Sequence, residues 1–292
     1  SLPQSPLIID DTANGNLGEV PGFLAEAWQL PDDPLLGFVE ITAGSFLMGS
    51  DTVIDPMAFD IERWSSTNAQ AVLELPTYYI GRFEVTVAQM RSFVQATGYP
   101  IDGQALGGAP GHPATFISWP DALAYSRWLD EILRNSPETP EVLSNLLESG
   151  GQVTLPTEAE WEKAARGPEG FKYPWGDKYD ASMGNYGRKQ ELTANVDAFP
   201  QGKSPYGVYN MSGNVFEWVN DWYDPNYYKT TKTILNPTGP QAGVFLSDTG
   251  TYVDRIAVGK KRVIRGGSWY APVESVTTTH RFWNDPMNNS YG

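Results

Sequence analysis

Between residues 210 and 217 the chain reads NMSGNVFE, which sets an amide and a carboxylate on either side of a glycine-bearing bend. Asn210 and Glu217 offer side-chain oxygens, and the bend turns the Gly213 and Val215 carbonyls towards the same point. Ligation by oxygen alone from a flexible loop is the chemistry of calcium. The plainer reading is that Asn210 caps a turn and Glu217 faces water. Further along, Glu274, His280 and Asp285 are the side chains that could move a proton, with Glu274 and His280 the candidate acid–base residues. Loop residues of these types also commonly do no more than meet solvent. His112, in GAPGHPATF, reads as a surface histidine in a Gly/Pro loop.

Composition narrows the chemistry. The 292 residues contain no cysteine and two histidines, which removes disulfides, thiolate nucleophiles, zinc–thiolate sites and multi-histidine metal cages. A formal charge of −15, from 20 basic and 35 acidic residues, repels a phosphate backbone, and the densest basic run is only GKKR at 259–262. Nucleic acid is therefore not an expected partner. No apolar run approaches the length of a membrane span and no signal-peptide core opens the chain. An exported location, periplasmic or extracellular, is expected over a cytoplasmic one.

The elements that must position these residues are legible in part. Ten Trp, 15 Tyr, 29 Gly and 23 Pro describe turns and short strands with few long helices. Residues 1–34 read as an extended arm with a short helical piece near GFLAEAW, and the compact domain as 35–292. GFVEITAGSFLMGS alternates and breaks at glycines, as a strand pair does. Thr86 followed by Gln89 signs a helix start that Gly98 ends. Ser118 caps a second helix with Ala122, Tyr125, Trp128, Leu129 and Ile132 at helical spacing. Thr157 and Glu160 open a third, with Gly167 as its exit. SPETPEVLSNLLESGG between the last two reads as a surface insertion with one helical turn. Beyond residue 170 turns and aromatic strands dominate, so the expected class is α+β with helices early and irregular sheet late.

ITAGSFLMGS, RFEVTVAQM, LPTEAEWEKAARG, YPWGD, YGVYNMSGNVFEW and RVIRGGSW, in that order, resemble the formylglycine-generating enzyme, or sulfatase-modifying-factor, family. The resemblance covers about residues 36–292 and implies a loop-rich variant of the C-type-lectin fold with little regular secondary structure. It also implies a structural calcium ion at Asn210, Gly213, Val215 and Glu217. A second would use Asn185 and the Tyr186 carbonyl, with Glu191 as its acid, although Arg188 and Lys189 compete with a cation there. In catalytic members two cysteines after RGGSW bind copper(I). Aligned on that motif they fall at Ala271 and about Val276, which cannot coordinate a soft metal, and Met287 alone is no substitute. No copper is expected. The iron-dependent sulfoxide synthases of the family rely on histidines of an additional helical domain, and this chain shows neither.

Two functions of different kind remain, beside a regulatory or structural subunit of a larger complex. One is a non-catalytic or diverged, calcium-stabilised member that recognises an unknown protein or small molecule through residues 268–291, where retroelement-diversified proteins of this fold vary their ligand-facing positions. Its candidate contacts are Trp269, Tyr270, Glu274, Thr278, His280 and Asn284, and that segment mixes aromatics, hydroxyls and amides as adaptable binding loops do. Packing against the last sheet is the alternative for Trp269 and Trp283. The other function is an oxidoreductase similar to the family branch that finishes the pyoverdine chromophore, acting on an unknown substrate.

Overall fold

A computed structural model describes residues 33–65, 67–230, 234–240 and 260–289. The arm expected over 1–34 thus lies almost wholly outside the described residues. Three small antiparallel sheets carry the strands. β1 (Phe38–Ile41) pairs with β4 (Tyr78–Gly81), β2 (Gly44–Met48) with β3 (Ala71–Leu75), and β5 (Glu217–Trp222), β6 (Arg262–Arg265) and β7 (Arg281–Asn284) form the third. Four helices of two turns or more separate the first four strands from the last three: α1 (Val87–Thr97), α2 (Trp119–Asn135), α3 (Glu141–Glu148) and α4 (Glu158–Arg166). With short strands, little helix after α4 and long connecting loops, the class is α+β.

The three expected capping residues are in place. Thr86, Ser118 and Thr157 each accept a hydrogen bond from the amide three residues on, and Gln89, Asp121 and Glu160 answer back to the cap amide. Gly98 ends α1 at φ 68°, where a side chain would be strained. The insertion differs from its sequence reading. Instead of one surface turn it holds a two-turn helix, α3, in which Leu143 and Leu147 lie one turn apart and are both buried, Leu147 in the α1–α2 cluster around Phe93, Trp128 and Leu133.

Helix α4 is the central post of the molecule. Trp161, Ala164 and Ala165 pack into the main core with Ile41, Val219, Tyr223 and Val263. Its charged residues other than Glu160 are buried too, each answered internally. Lys163 donates to the Thr42 and Gly44 carbonyls, Arg166 to those of Leu47, Gly49 and Gly170, and Glu158 and Glu162 meet Arg281 and Arg265. A buried carboxylate is tolerable only with such partners. The post therefore pins the loop after β1, the end of β2 and the strands β6 and β7 to one axis, and the loops between them are held at defined positions.

Candidate functional site

The segment after β6 turns on Gly266 and Gly267, at φ 88° and 75°, and a Cβ on Gly267 would lie 2.6 Å from the Ser275 carbonyl oxygen. Only glycine fits that approach. The turn folds the segment inward. Ala271 and Val276, at the positions where copper-binding cysteines would fall, are 3% and 0% exposed and pack with Tyr173 and Tyr186 in a closed apolar cluster. The loop at Gly187 and Arg188 seals it by donating backbone N–H groups to the Ala271 and Trp269 carbonyls at 2.9 and 2.8 Å.

The six contact candidates divide. Trp269, Tyr270 and Glu274 are half-buried, with surface to offer a partner. Thr278, His280 and Asn284 are buried, and the structure removes them from the outer face. Thr278 Oγ1 donates to the Phe171 carbonyl at 2.7 Å, fastening β7 to the loop after α4. His280 sits between Phe59 and Phe282, with Nδ1 3.6 Å from Glu62 Oε1. Asn284 Oδ1 accepts from the Asp285 amide and Asn288 Nδ2. Expected as contacts for a ligand, these three side chains are instead buried. In their place stand two rings that sequence reasoning passed over. Trp269, Tyr270, Phe216 and Phe282 form a continuous run with neighbouring centroids 5.2, 6.5 and 6.0 Å apart, each ring half-buried. Asp285 lies 3.6 Å from Lys261, His112 shares a 2.9 Å hydrogen bond with Thr193, and Met287 is exposed.

Of the calcium candidates Val215 and Glu217 line a cleft of about 830 Å³, with Glu84, Leu129, Tyr209, Phe216 and Trp218, while Asn210 and Gly213 lie in the same bend outside its lining. Asn210 is buried at φ 53°, Gly213 turns at φ 94°, and Glu217 opens β5, with its Oε2 accepting from the Trp161 indole at 2.8 Å. Among the described residues, neither the Gly213 nor the Val215 carbonyl receives a hydrogen bond, and Glu217 Oε1 receives none. These are free oxygens at a bend, and they fit a hard cation. Glu84, in the same lining, follows β4. Its Oε2 accepts from Asn210 Nδ2 at 2.7 Å and its Oε1 from Asn214 Nδ2 at 2.8 Å. Burial pushes the Glu84 carboxyl up to about 7, against the pull of the two amides. Burial and then the charge of Glu84 push Glu217 up to about 8, against the Trp161 hydrogen bond. No described basic side chain forms an ion pair with either acid. Nor do the described residues hold a group of three or more His, Asp or Glu side chains that could hold a metal ion, so an ion here would rely on amide and peptide oxygens.

The second calcium candidate shares this framework. Asn185 is 1% exposed, its Nδ2 donates to the Leu192 carbonyl at 3.0 Å and to Asn214 Oδ1 at 3.3 Å, and its Oδ1 is buried without a partner among the described residues. Tyr186 is buried, and its carbonyl accepts only the long 3.5 Å bond from the Lys189 amide. Glu191 is exposed. Sequence reasoning missed Glu84, because RFEVT was read only as a strand leading to a cap. An acid between an apolar strand and a helix start was the available signal.

Comparison with known proteins gives the family and the fold. Residues 26–291 match the sulfatase-modifying factor enzyme 1-like domain, and the chain belongs to that family. It is 28% identical over 280 residues to a formylglycine-generating enzyme of Thermomonospora curvata, covering 73% of this chain and 81% of that one. It is 31% identical over 185 residues to the serine/threonine-protein kinase pkn1 of Chlamydia pneumoniae, but that match takes in 62% of this chain and only 23% of the kinase. The structure of PvdO from Pseudomonas aeruginosa superposes with a TM-score of 0.61 at 22% identity, covering 86% of this chain and 89% of that one, a likeness of fold. No helix among the described residues is long and apolar enough to cross a membrane.

Proposed function

We propose that this protein is a recognition member of the sulfatase-modifying-factor family, stabilised by calcium, that holds a ligand against its aromatic run instead of oxidising a cysteine. One observation carries the reading. The positions where a copper site would need thiols are occupied by Ala271 and Val276, sealed against Tyr173 and Tyr186, while Trp269 and Tyr270 beside them stay partly open. Half-buried rings in a row take the flat face of an aromatic group or a sugar at little entropic cost, because each ring is already held by its neighbours. Glu274, at the edge of the same segment, adds a carboxylate for a donor group on the ligand. Calcium at Asn210, Gly213, Val215 and Glu217, and a second ion at Asn185 and Tyr186, would bind the folded form alone and so stabilise it. That role suits an exported protein, since calcium is plentiful outside the cytoplasm.

The oxidative alternative has relatives behind it in the formylglycine-generating enzymes. It would place Glu274 or His280 at the reacting atoms, and His280 is enclosed by Phe59 and Phe282. Ligand-observed NMR with phenol, indole and methyl β-glucoside as probes separates the readings. Recognition predicts saturation transfer to at least one probe, lost in Tyr270→Ala and Phe282→Ala. Signals equal in wild type and both variants would remove the aromatic run as the site. Oxygen consumption with phenol that depends on Glu274 would establish the oxidative reading instead.

A further inference from the structure

Two acids that line the cleft, Glu84 and Glu217, lack among the described residues the cationic partners that most buried carboxylates of this fold have, a lack they share with Asp221. Glu158, Glu162 and Asp55 each meet a guanidinium or ammonium group within 3.0 Å, whereas Glu84 and Glu217 meet none among the described residues. Glu84 also sits at the head of a directional chain of amides. Both amides that touch Glu84 turn their NH2 ends towards its two oxygens. Asn210 is fixed in this way, and its second N–H goes to the Val196 carbonyl at 2.8 Å, which leaves its oxygen directed away from the acid. Asn214 is fixed likewise. Its oxygen accepts from the Ala194 amide at 2.8 Å and from Asn185 Nδ2 at 3.3 Å. Asn185 has then spent both N–H groups on Asn214 and Leu192, and its own oxygen remains as the buried acceptor without a donor. An orphaned buried acceptor costs on the order of 1–3 kcal/mol, a cost that a cation bound to it would offset.

The geometry points to Glu84 as the positioning residue of both cation sites: through Asn210 on one side, and through Asn214 and Asn185 on the other, it turns two amide oxygens outward to receive ions. This inference rests on the calcium reading above and adds a residue that contributes no oxygen to either ion. The chain joins the two sites physically, so an ion at Asn210 and an ion at Asn185 act on the same carboxylate.

Isothermal calorimetry with calcium alone, on the full chain stripped by chelator, tests this with Glu84→Gln, Glu84→Asp and Asn214→Ala. Removing a partner that orients a metal ligand typically weakens the metal by about 10–100-fold, and Glu84→Gln is expected in that range. Glu84→Asp keeps the charge but is one methylene too short to reach both amides, and should bind between wild type and Glu84→Gln. Asn214→Ala should weaken calcium although Asn214 offers it no oxygen. Melting temperatures in chelator separate positioning from stability: a merely structural Glu84 would lower melting in chelator and leave calcium affinity unchanged. Wild type that takes up no calcium would overturn the calcium reading and this inference with it. Wild type that binds calcium, beside a folded Glu84→Gln or Glu84→Asp within twofold of it, would overturn this inference alone.

Discussion

Arg265 is the residue whose loss the structure weighs most heavily. Its side chain is fully buried. Nη2 donates to Glu162 Oε2 at 2.6 Å and to the Thr278 carbonyl at 3.0 Å, and Nη1 to the Thr279 and His280 carbonyls at 3.0 and 2.8 Å. Glu158 Oε1 lies 3.5 Å away, and the guanidinium stands 5.1 Å from the Trp161 ring centre. One cation thus ties α4 to the loop that leads into β7. Arg265→Met keeps most of the volume and removes every donor. Glu162 retains Arg166 and Glu158 retains Arg281, so neither acid becomes an isolated charge. The loss is then one charge-assisted bond, about 1.5–3 kcal/mol, and three carbonyl bonds at about 1 kcal/mol each, or roughly 4–6 kcal/mol in all. At about 2 °C per kcal/mol for a chain of this size, melting should fall by on the order of 8–12 °C. Urea titration followed by tryptophan fluorescence gives the free energy, and near-ultraviolet circular dichroism should report altered packing of Trp269 and Tyr270. Arg265→Lys, with the charge but not the fork, should lose about half as much. A loss below about 1 kcal/mol for Arg265→Met would refute the view that this network holds the segment in place.

Further outcomes follow from the same contacts. Glu84 and Glu217 are pushed up to about 7 and about 8 from the ordinary 4.5, so in the folded state each keeps a proton that the unfolded chain has released. In chelator their contribution to stability is whole below about pH 4.5 and is lost as pH rises through about 7–8, so the urea midpoint should drop across that window and drop less in Glu217→Gln. Thr157→Ala removes the cap of α4 and should cost about 1 kcal/mol by urea titration, with Thr157→Ser close to wild type. Leu147→Ala, in α3 and 6% exposed, should cost about 2–5 kcal/mol; a change under about 0.5 kcal/mol would mean the insertion does not pack.

What could be seen in the chain beforehand was whatever depends on neighbours a few residues apart. The Thr86–Gln89 and Thr157–Glu160 boxes are local chemistry, and the structure contains both. The same local view misjudged burial. EAEWEKAAR looks like a helix with a wet face, yet every residue in it but Glu160 is buried, because its charges clamp distant carbonyls that no spacing rule reveals. Thr278, His280 and Asn284 were misplaced for a related reason: a polar side chain looks exposed until its partner, such as the Phe171 carbonyl, is known. At the cleft the 210–217 bend was legible as a unit, while Glu84 was not, since it lies 126 residues from Asn210 and only folding brings them together. Leu143 and Leu147 one turn apart were visible and were given too little weight.

The most direct test is chemical. The purified chain, supplied with copper(I), oxygen and a peptide carrying the sulfatase cysteine, should return the peptide unchanged by mass spectrometry, because Ala271 and Val276 offer no thiolate to the metal. Conversion of that cysteine to formylglycine at a rate above the protein-free control would contradict the account.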